Sequence, residues 1–431
     1  MEENFYLSAT ELAARIRRGD ISAVDVVTAH LERIAAVNPQ LNAVVRLDAE
    51  GALTQARAAD TALAQGDSVG PLHGVPFTAK DVMETAGIVA AAGIPERAMF
   101  VPAEDATVVA RMRAAGAILL GKTNCPPGGG GGDTDNPVYG RTNNPYDVTR
   151  TPGGSSGGEA AIIAAGGSPI GLGSDSGGSI RVPAHFCGAA GLKPTSGRVP
   201  NTGVFNHPGG LSDPRTQIGP LARFVEDLAL VFGVIAGPDG HDSGVIPLPV
   251  VDYRAVHVSN LHVACYIEDG IAPPTAETSA ATLAAAQVLA DFGARVTEVC
   301  PPIAASRGIT ERYWSMSTLT GAGIETLLSD WDAFRTAMLV FMADYDAIVC
   351  PVDAHPAPRH GDPDPLRFNY TLPYSLTGWP VVVVRVGSSS EGLPIGAQVI
   401  ANPWREDVAL AVAMRLESAL GGWQPARSLK I

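Results

Sequence analysis

Hydrophobic and polar positions at the start of the chain recur with the period of amphipathic helices. Ser8 and Glu11 have the spacing of a capping box, which predicts a helix that begins after Ser8. Apolar positions at helical spacing predict a second helix over 21–37, ended by Asn38 and Pro39. With a further helix over 52–64, the N-terminal segment 8–65 is predicted to be mainly helical.

Short apolar runs and helical segments then alternate along the rest of the chain. The predicted strands are 41–47, 74–80, 117–121, 261–267, 294–299, 347–352 and 381–387, and further helices are predicted over 106–115, over 159–165 and up to Leu289. This alternation is typical of the α/β class. Because no repeat, linker or change of composition interrupts it, we predict a single large domain over 1–431.

Composition narrows the class of protein further. The 431 residues are 46% hydrophobic and 17% charged, which indicates a globular protein with a large core. The net charge of -14 argues against a nucleic-acid groove or an anionic membrane surface as partner. The N-terminus lacks the pattern of a signal peptide, and the five cysteines show no CxxC spacing. We therefore expect a cytoplasmic protein with neither a nucleic-acid nor a membrane partner.

Lysine is rare in this chain, and its positions are informative. Three of the four lysines, Lys80, Lys122 and Lys193, follow apolar or small residues, a setting that surface solubility does not explain. For Lys122 and Lys193 we expect bonds to backbone carbonyls. Lys80 ends a predicted strand, which makes it the candidate for chemistry.

Three short motifs point to other activities, and their contexts argue against each. Residues 116–123 match the phosphate loop GxxxxGK[ST], but the middle of the match is itself a predicted strand, so a nucleotide-binding protein stays only as an alternative. Residues 154–158 fit GxSxG without a preceding strand. His355 and His360 lie in a proline-rich loop that lacks the fixed spacing of metal ligands, so no metal is expected.

Two glycine- and serine-rich stretches carry the strongest signal. GGSSGGEAA begins at Gly153, and GSDSGGSIRVPAHFCGAAGLKPTSGRVP begins at Gly173. Together with GVPFTAKD, GKTN, TNNP, IAGPDG and GLPIGAQVI, they resemble the amidase signature family of serine hydrolases. The motifs are clearest over about 74–240 and thinner beyond. The resemblance implies a central, mixed, twisted β-sheet flanked by helices.

The same resemblance implies a Ser-cisSer-Lys triad. Its members here are Lys80, Ser155 and Ser179, with Ser179 as the nucleophile. Backbone N–H groups would form the oxyanion hole, and other residues would support the site. The oxyanion residues are Ser176, Gly177, Gly178 and Ser179, and the supporting residues are Ser156, Asp175 and Arg181.

Elementary chemistry is consistent with these assignments. A serine hydroxyl needs a neighbouring base, and a lysine can be that base if burial keeps it neutral. Glycines allow consecutive N–H groups to point at a developing oxyanion. Asp81 follows Lys80 directly, and adjacent strand residues face opposite sides, so it should not hold Lys80 charged. Cys187, in an apolar context, is expected to be an inert core residue. No cofactor is expected.

The substrate is less well defined. Glycines 128–132 suggest an open pocket wall, and region 303–344 is too compact for a large lid, which favours bulky or aryl amides, carbamates or esters. The partners expected are such a small molecule and water, and a homodimer is left open. The alternative is the glutamine-amidase component of a tRNA-dependent amidotransferase, which shares the signature. Against it, the chain lacks an evident extra C-terminal region for a partner.

Overall fold

The computed structural model describes residues 4–362, 364–426 and 429. The helices are α1 (Ala9–Arg18), α2 (Ala23–Leu41), α3 (Ala49–Ala64), α4 (Thr107–Ala114), α5 (Gly157–Ala164), α6 (Arg181–Cys187), α7 (Val225–Ile235), α8 (Ala276–Asp291), α9 (Ser306–Trp314), α10 (Gly321–Met342), α11 (Leu372–Thr377) and α12 (Glu406–Leu420). The strands are β1 (Val44–Leu47), β2 (Pro76–Lys80), β3 (Ile118–Thr123), β4 (Ile170–Asp175), β5 (Ala190–Lys193), β6 (Gln217–Ala222), β7 (His262–Cys265), β8 (Arg295–Glu298), β9 (Ala347–Pro351), β10 (Val381–Ser388) and β11 (Pro394–Ala401).

All the described strands form one mixed sheet. Its order is β1-β3-β2-β4-β6-β5-β10-β11-β9-β7-β8. Strands β3, β2 and β4 are mutually parallel, as are β9, β7 and β8, whereas the strands between β4 and β9 pair antiparallel. The predicted α/β class and the single domain with a mixed sheet are therefore confirmed.

Helices cover both faces of the sheet because its strands bury side chains on both sides. Phe77 and Ala79 of β2 pack into one core with α1, α4, α7, α8 and α12. The opposite face packs against α2, α3, α5 and α6, and a third cluster lies under α9, α10 and α11. The alternation of strand side chains thus sends Thr78 towards α5, where it bonds Glu159.

The helix starts follow the predicted chemistry, but one helix end does not. Ser8 caps α1 by accepting a bond from the N–H of Glu11 at 3.1 Å. Helix α2 continues through Pro39 to Leu41, so the prediction that it stops at Asn38–Pro39 was wrong. Burial of Leu41 and a left-handed cap at Asn42 stabilise this last turn, where Pro39 loses few helical bonds.

The structure also decides the phosphate-loop match. Residues 118–123 of that match form the buried strand β3, so no bare loop is present to wrap a phosphate. This observation removes the basis of the nucleotide-binding alternative. Among the described helices, none is long and apolar enough to span a membrane.

Candidate active site

Parallel strands bring two polar ends to the same edge of the sheet. Lys80 is the last residue of β2, and Ser174 and Asp175 end the neighbouring parallel strand β4. The GGSSGG loop, which leads into α5, crosses this edge and adds Ser155. The residues that the two motifs separate in sequence therefore meet in space.

The amine of Lys80 lies at the centre of this cluster. Its Nζ donates to Ser155 Oγ at 2.6 Å and to Ser174 Oγ at 2.8 Å, and the side chain is fully buried. Burial lowers the pKa of Lys80 to about 8, partly offset by the charges of Cys125 and Asp175. A substantial neutral fraction is therefore present at mildly alkaline pH.

Ser156 has a different role from its neighbour. Its Oγ donates to the carbonyl of Ser174 at 3.2 Å and accepts from the N–H of Ser174 at 3.3 Å. Its N–H donates to the carbonyl of Ser179 at 3.1 Å. Ser156 thus ties the glycine loop to β4 and to the second motif, as a supporting residue would, while Ser155 faces Lys80.

Glycine is required in both turns by close approach of other backbone and side chains. A Cβ at Gly154 would lie 2.7 Å from the carbonyl oxygen of Gly131. Gly178 has a φ of +144°, and a Cβ there would collide with Thr371 Oγ1. Side chains at these two positions would push the serines out of place.

Ser179 borders the adjacent cavity and is half-buried. Within the described residues, its hydroxyl makes no hydrogen bond, and in particular none with Ser155. The backbone N–H groups of Ser176, Gly177, Gly178 and Ser179 likewise have no acceptor in the described part of the chain. Four unpaired donors beside a hydroxyl are a suitable environment for an oxyanion.

A buried ion pair fixes the ends of this loop. Arg181 donates to Asp175 through Nε at 3.0 Å and Nη2 at 2.9 Å, and both side chains are fully buried. Burial alone would raise the pKa of Asp175, but the Arg181 guanidinium holds that pKa at about 2. Arg181 also donates to Thr371 and Ser375, so the pair anchors the loop to α11.

The other buried lysines bond to carbonyls, as expected. Lys122 donates to the carbonyl of Met83 and lies 3.9 Å from Asp81, so the latter pairs with Lys122 rather than with Lys80. Lys193 donates to the carbonyl of Pro194 at 2.9 Å. Cys187 is buried, and burial raises the pKa of its thiol well above the usual range, which makes it unreactive.

A cavity of about 900 Å³ opens in front of Ser179. Gly129–Gly132 form one wall, as expected for the glycine stretch, and Tyr313, Trp314 and Phe368 add aromatic surface. Two of these aromatic residues belong to α9. Region 303–344, expected to be too compact for a large lid, therefore contains two helices, α9 and α10, and supplies part of the wall. The weakly amphipathic pattern of this region gave no such signal.

Two polar residues of the site were missed by sequence reasoning. Ser174 contacts Lys80, and His207 lies beside both Ser174 and the cavity. The position of Ser174, at the end of a strand just before a glycine turn, could have revealed it. His207 lies in a loop of mixed composition, and nothing in its spacing marks it.

The histidines considered for a metal lie apart from this site's lysine. Asp353, His355 and Asp364 place one possible ligand atom each within 4.8 Å of one another, and His360 is not part of that group. His355 is half-exposed, and Asp353 already accepts a bond from the N–H of His355. The geometry gives no open, rigid ligand set, and the expectation of no metal stays a prediction.

Comparison with known proteins places the whole arrangement in one family. The sequence profile of the family described as Amidase matches residues 25–324 and 315–410. The chain belongs to the amidase family. The acylamidase of Rhodococcus erythropolis is 34% identical over 100% of this chain and 99% of its own length.

Two other relatives of this amidase-family chain bear on the substrate. The glutamyl-tRNA(Gln) amidotransferase component of this family from Roseiflexus sp. (strain RS-1) is 36% identical over 94% of this chain and 95% of its own length. The solved structure of a 6-aminohexanoate cyclic dimer hydrolase is 29% identical, with a TM-score of 0.87 over 99% of both chains. Because the match spans nearly the whole amidotransferase component, the argument that this chain lacks a C-terminal region for a partner does not hold.

Proposed function

We propose that the chain hydrolyses carboxylic amides through an acyl-enzyme on Ser179. The observation that carries this proposal is the contact of Lys80 with Ser155 in a fully buried setting, beside a cavity bordered by Ser179. Neutral Lys80 takes a proton from Ser155, which takes the proton of Ser179 as that hydroxyl attacks the substrate carbonyl. The four N–H groups at 176–179 then stabilise the oxyanion.

Proton return completes each half of the reaction. Protonated Lys80 passes its proton back through Ser155 to the departing nitrogen, and the amine leaves. Water then repeats the sequence on the acyl-enzyme and releases the acid. The hydroxyls of Ser155 and Ser179 are not bonded to each other here, and we infer that this contact forms when an acyl group occupies the cavity.

Two observations point to different acyl groups. Sequence similarity favours glutamine, because the amidotransferase relatives reach 36–37% identity, above the acylamidase. The cavity favours a bulky or aryl amide, because about 900 Å³ with an aromatic wall exceeds what a glutamine side chain fills. Carbamates and esters, linear or cyclic, would use the same chemistry.

Purified protein assayed against glutamine, alkyl amides, aryl amides, carbamates and esters separates these candidates. Ammonia release from glutamine only when the amidotransferase partner proteins are added would favour the glutamine-amidase function. Turnover of aryl amides by the protein alone would favour the acylamidase function. A fluorophosphonate probe should add mass to the peptide that contains Ser179, and labelling of Ser155 or Ser156 instead would contradict the nucleophile.

A further inference from the structure

One histidine lies behind the lysine of the proposed triad. His207 is 7% exposed, and its Nε2 is 3.5 Å from Ser174 Oγ, the same hydroxyl that accepts from Lys80 at 2.8 Å. On the other side of the ring, Nδ1 is 3.6 Å from Asp213 Oδ2. The groups form a continuous series from Asp213 to Ser155.

The surroundings of His207 keep its ring turned towards Lys80. A Cβ at Gly129 would lie 3.3 Å from His207 Nε2 and 3.6 Å from Lys80 Nζ, so both nitrogens border the same small space above this glycine. Asp213 is itself held by Thr216, whose N–H and hydroxyl donate to its Oδ1 at 3.2 and 2.8 Å. The second carboxylate oxygen is left for His207.

The direction of each hydrogen bond follows from the charges at the two ends. A carboxylate only accepts, so Asp213 selects the tautomer of His207 that carries its proton on Nδ1. Nε2 then accepts from the hydroxyl of Ser174, whose lone pair is left to accept an N–H of Lys80. With one N–H committed in that direction, the lone pair of neutral Lys80 is free to point at Ser155.

We propose that His207, oriented by Asp213, is a positioning residue that acts through Ser174 to aim the lone pair of Lys80 at Ser155. This inference rests on the proposed function, because it concerns the orientation of that reaction's base. Without His207 the Ser174 hydroxyl can rotate and donate to Lys80, which occupies the lone pair that the reaction needs. The effect should fall on the chemical step and leave substrate binding unchanged.

The test is a double-mutant cycle on kcat and KM, with the amide substrate found by the panel above. His207→Leu should lower kcat about 10- to 100-fold with KM unchanged, since misorientation of one catalytic group costs a rate factor of this order. His207→Gln, which keeps an acceptor, should recover most of that loss. In the Ser174→Ala background, His207→Leu should have no further effect. His241→Leu, at an exposed position, is the matched control.

Contrary outcomes identify what fails. An equal loss from His207→Leu with and without Ser174, or a rise in KM alone, would mean direct contact with substrate and would overturn the inference. A Gln variant as poor as Leu, in protein whose thermal unfolding is unchanged, would also overturn it. If Ser179→Ala keeps full activity, the proposed function itself is wrong. If Ser179→Ala abolishes activity while His207→Leu does not change it, only the positioning role is wrong.

Discussion

Replacing Lys80 by Met tests the proposed base most directly. Met fills nearly the same volume as Lys, so the buried site should keep its packing while Ser155 and Ser174 lose the amine that contacts them at 2.6 and 2.8 Å. An amine leaves an acyl group only with a returned proton, whereas a good ester leaving group departs with little help. The variant should therefore impair amide hydrolysis more than ester hydrolysis.

The size of the effect can be worked out from the site. General acid-base catalysis contributes about 100- to 10,000-fold, so kcat/KM for an amide should fall by at least this factor. A pKa of about 8 for Lys80 leaves roughly a tenth of it neutral at pH 7 and roughly nine tenths at pH 9. Because the neutral form is the active one, wild-type kcat/KM should rise about tenfold between these values, and this rise should vanish in Lys80→Met.

The assay compares one amide and one activated ester of the same acyl group at pH 7 and pH 9. Lys193→Met is the matched control, because burial lowers the pKa of Lys193 to about 7 although its Nζ contacts only the carbonyl of Pro194 among the described residues. The control should leave the amide-to-ester ratio unchanged. Equal losses on both substrates in Lys80→Met would limit this lysine to activation of the nucleophile, and no loss would remove it from the triad.

Further predictions concern the cavity wall, the loop anchor and cofactors. Gly130→Leu should lower turnover of bulky aryl amides more than of small ones, because Gly130 has an ordinary extended backbone and open space beside its Cβ; equal effects would indicate a folding defect. Asp175→Asn should lower the free energy of unfolding by about 3–5 kcal/mol in urea titrations, because Arg181 stays buried without a counter-charge, whereas Asp252→Asn, in an exposed pair, should cause no measurable change. Activity should survive exhaustive chelation, and loss with recovery on adding zinc would contradict a metal-free mechanism.

The sequence predicts the first part of the sheet well and its middle poorly. Strands such as β2 and β10 are continuous apolar runs bounded by glycine or proline, which periodicity detects. Strands β4 and β11 were missed because glycines and small residues interrupt their apolar pattern. Pro39 misled the prediction for α2, since a proline near a helix end removes few bonds and tertiary packing decides the last turn.

Prediction of the site depended on the kind of signal each residue carries. Lys80 and Ser155 lie in motifs whose glycines and apolar neighbours reflect the chemistry, so sequence alone could identify them. His207 is positioned by a loop, and its partner Ser174 is separated from it by 33 residues, a relation that only the folded chain creates. Helix α9 was missed as a cavity wall for the same reason.

A lowered lysine pKa does not by itself identify the base. Burial lowers the pKa of Lys122 and Lys193 as well as that of Lys80, so desolvation is common to all three. What differs is the partner: carbonyl oxygens, which can give no proton, face Lys122 and Lys193, whereas two hydroxyls face Lys80. A base must contact the group that gives up the proton, so geometry selects Lys80, and the measured ratio of amide to ester turnover is the quantity that this geometry controls.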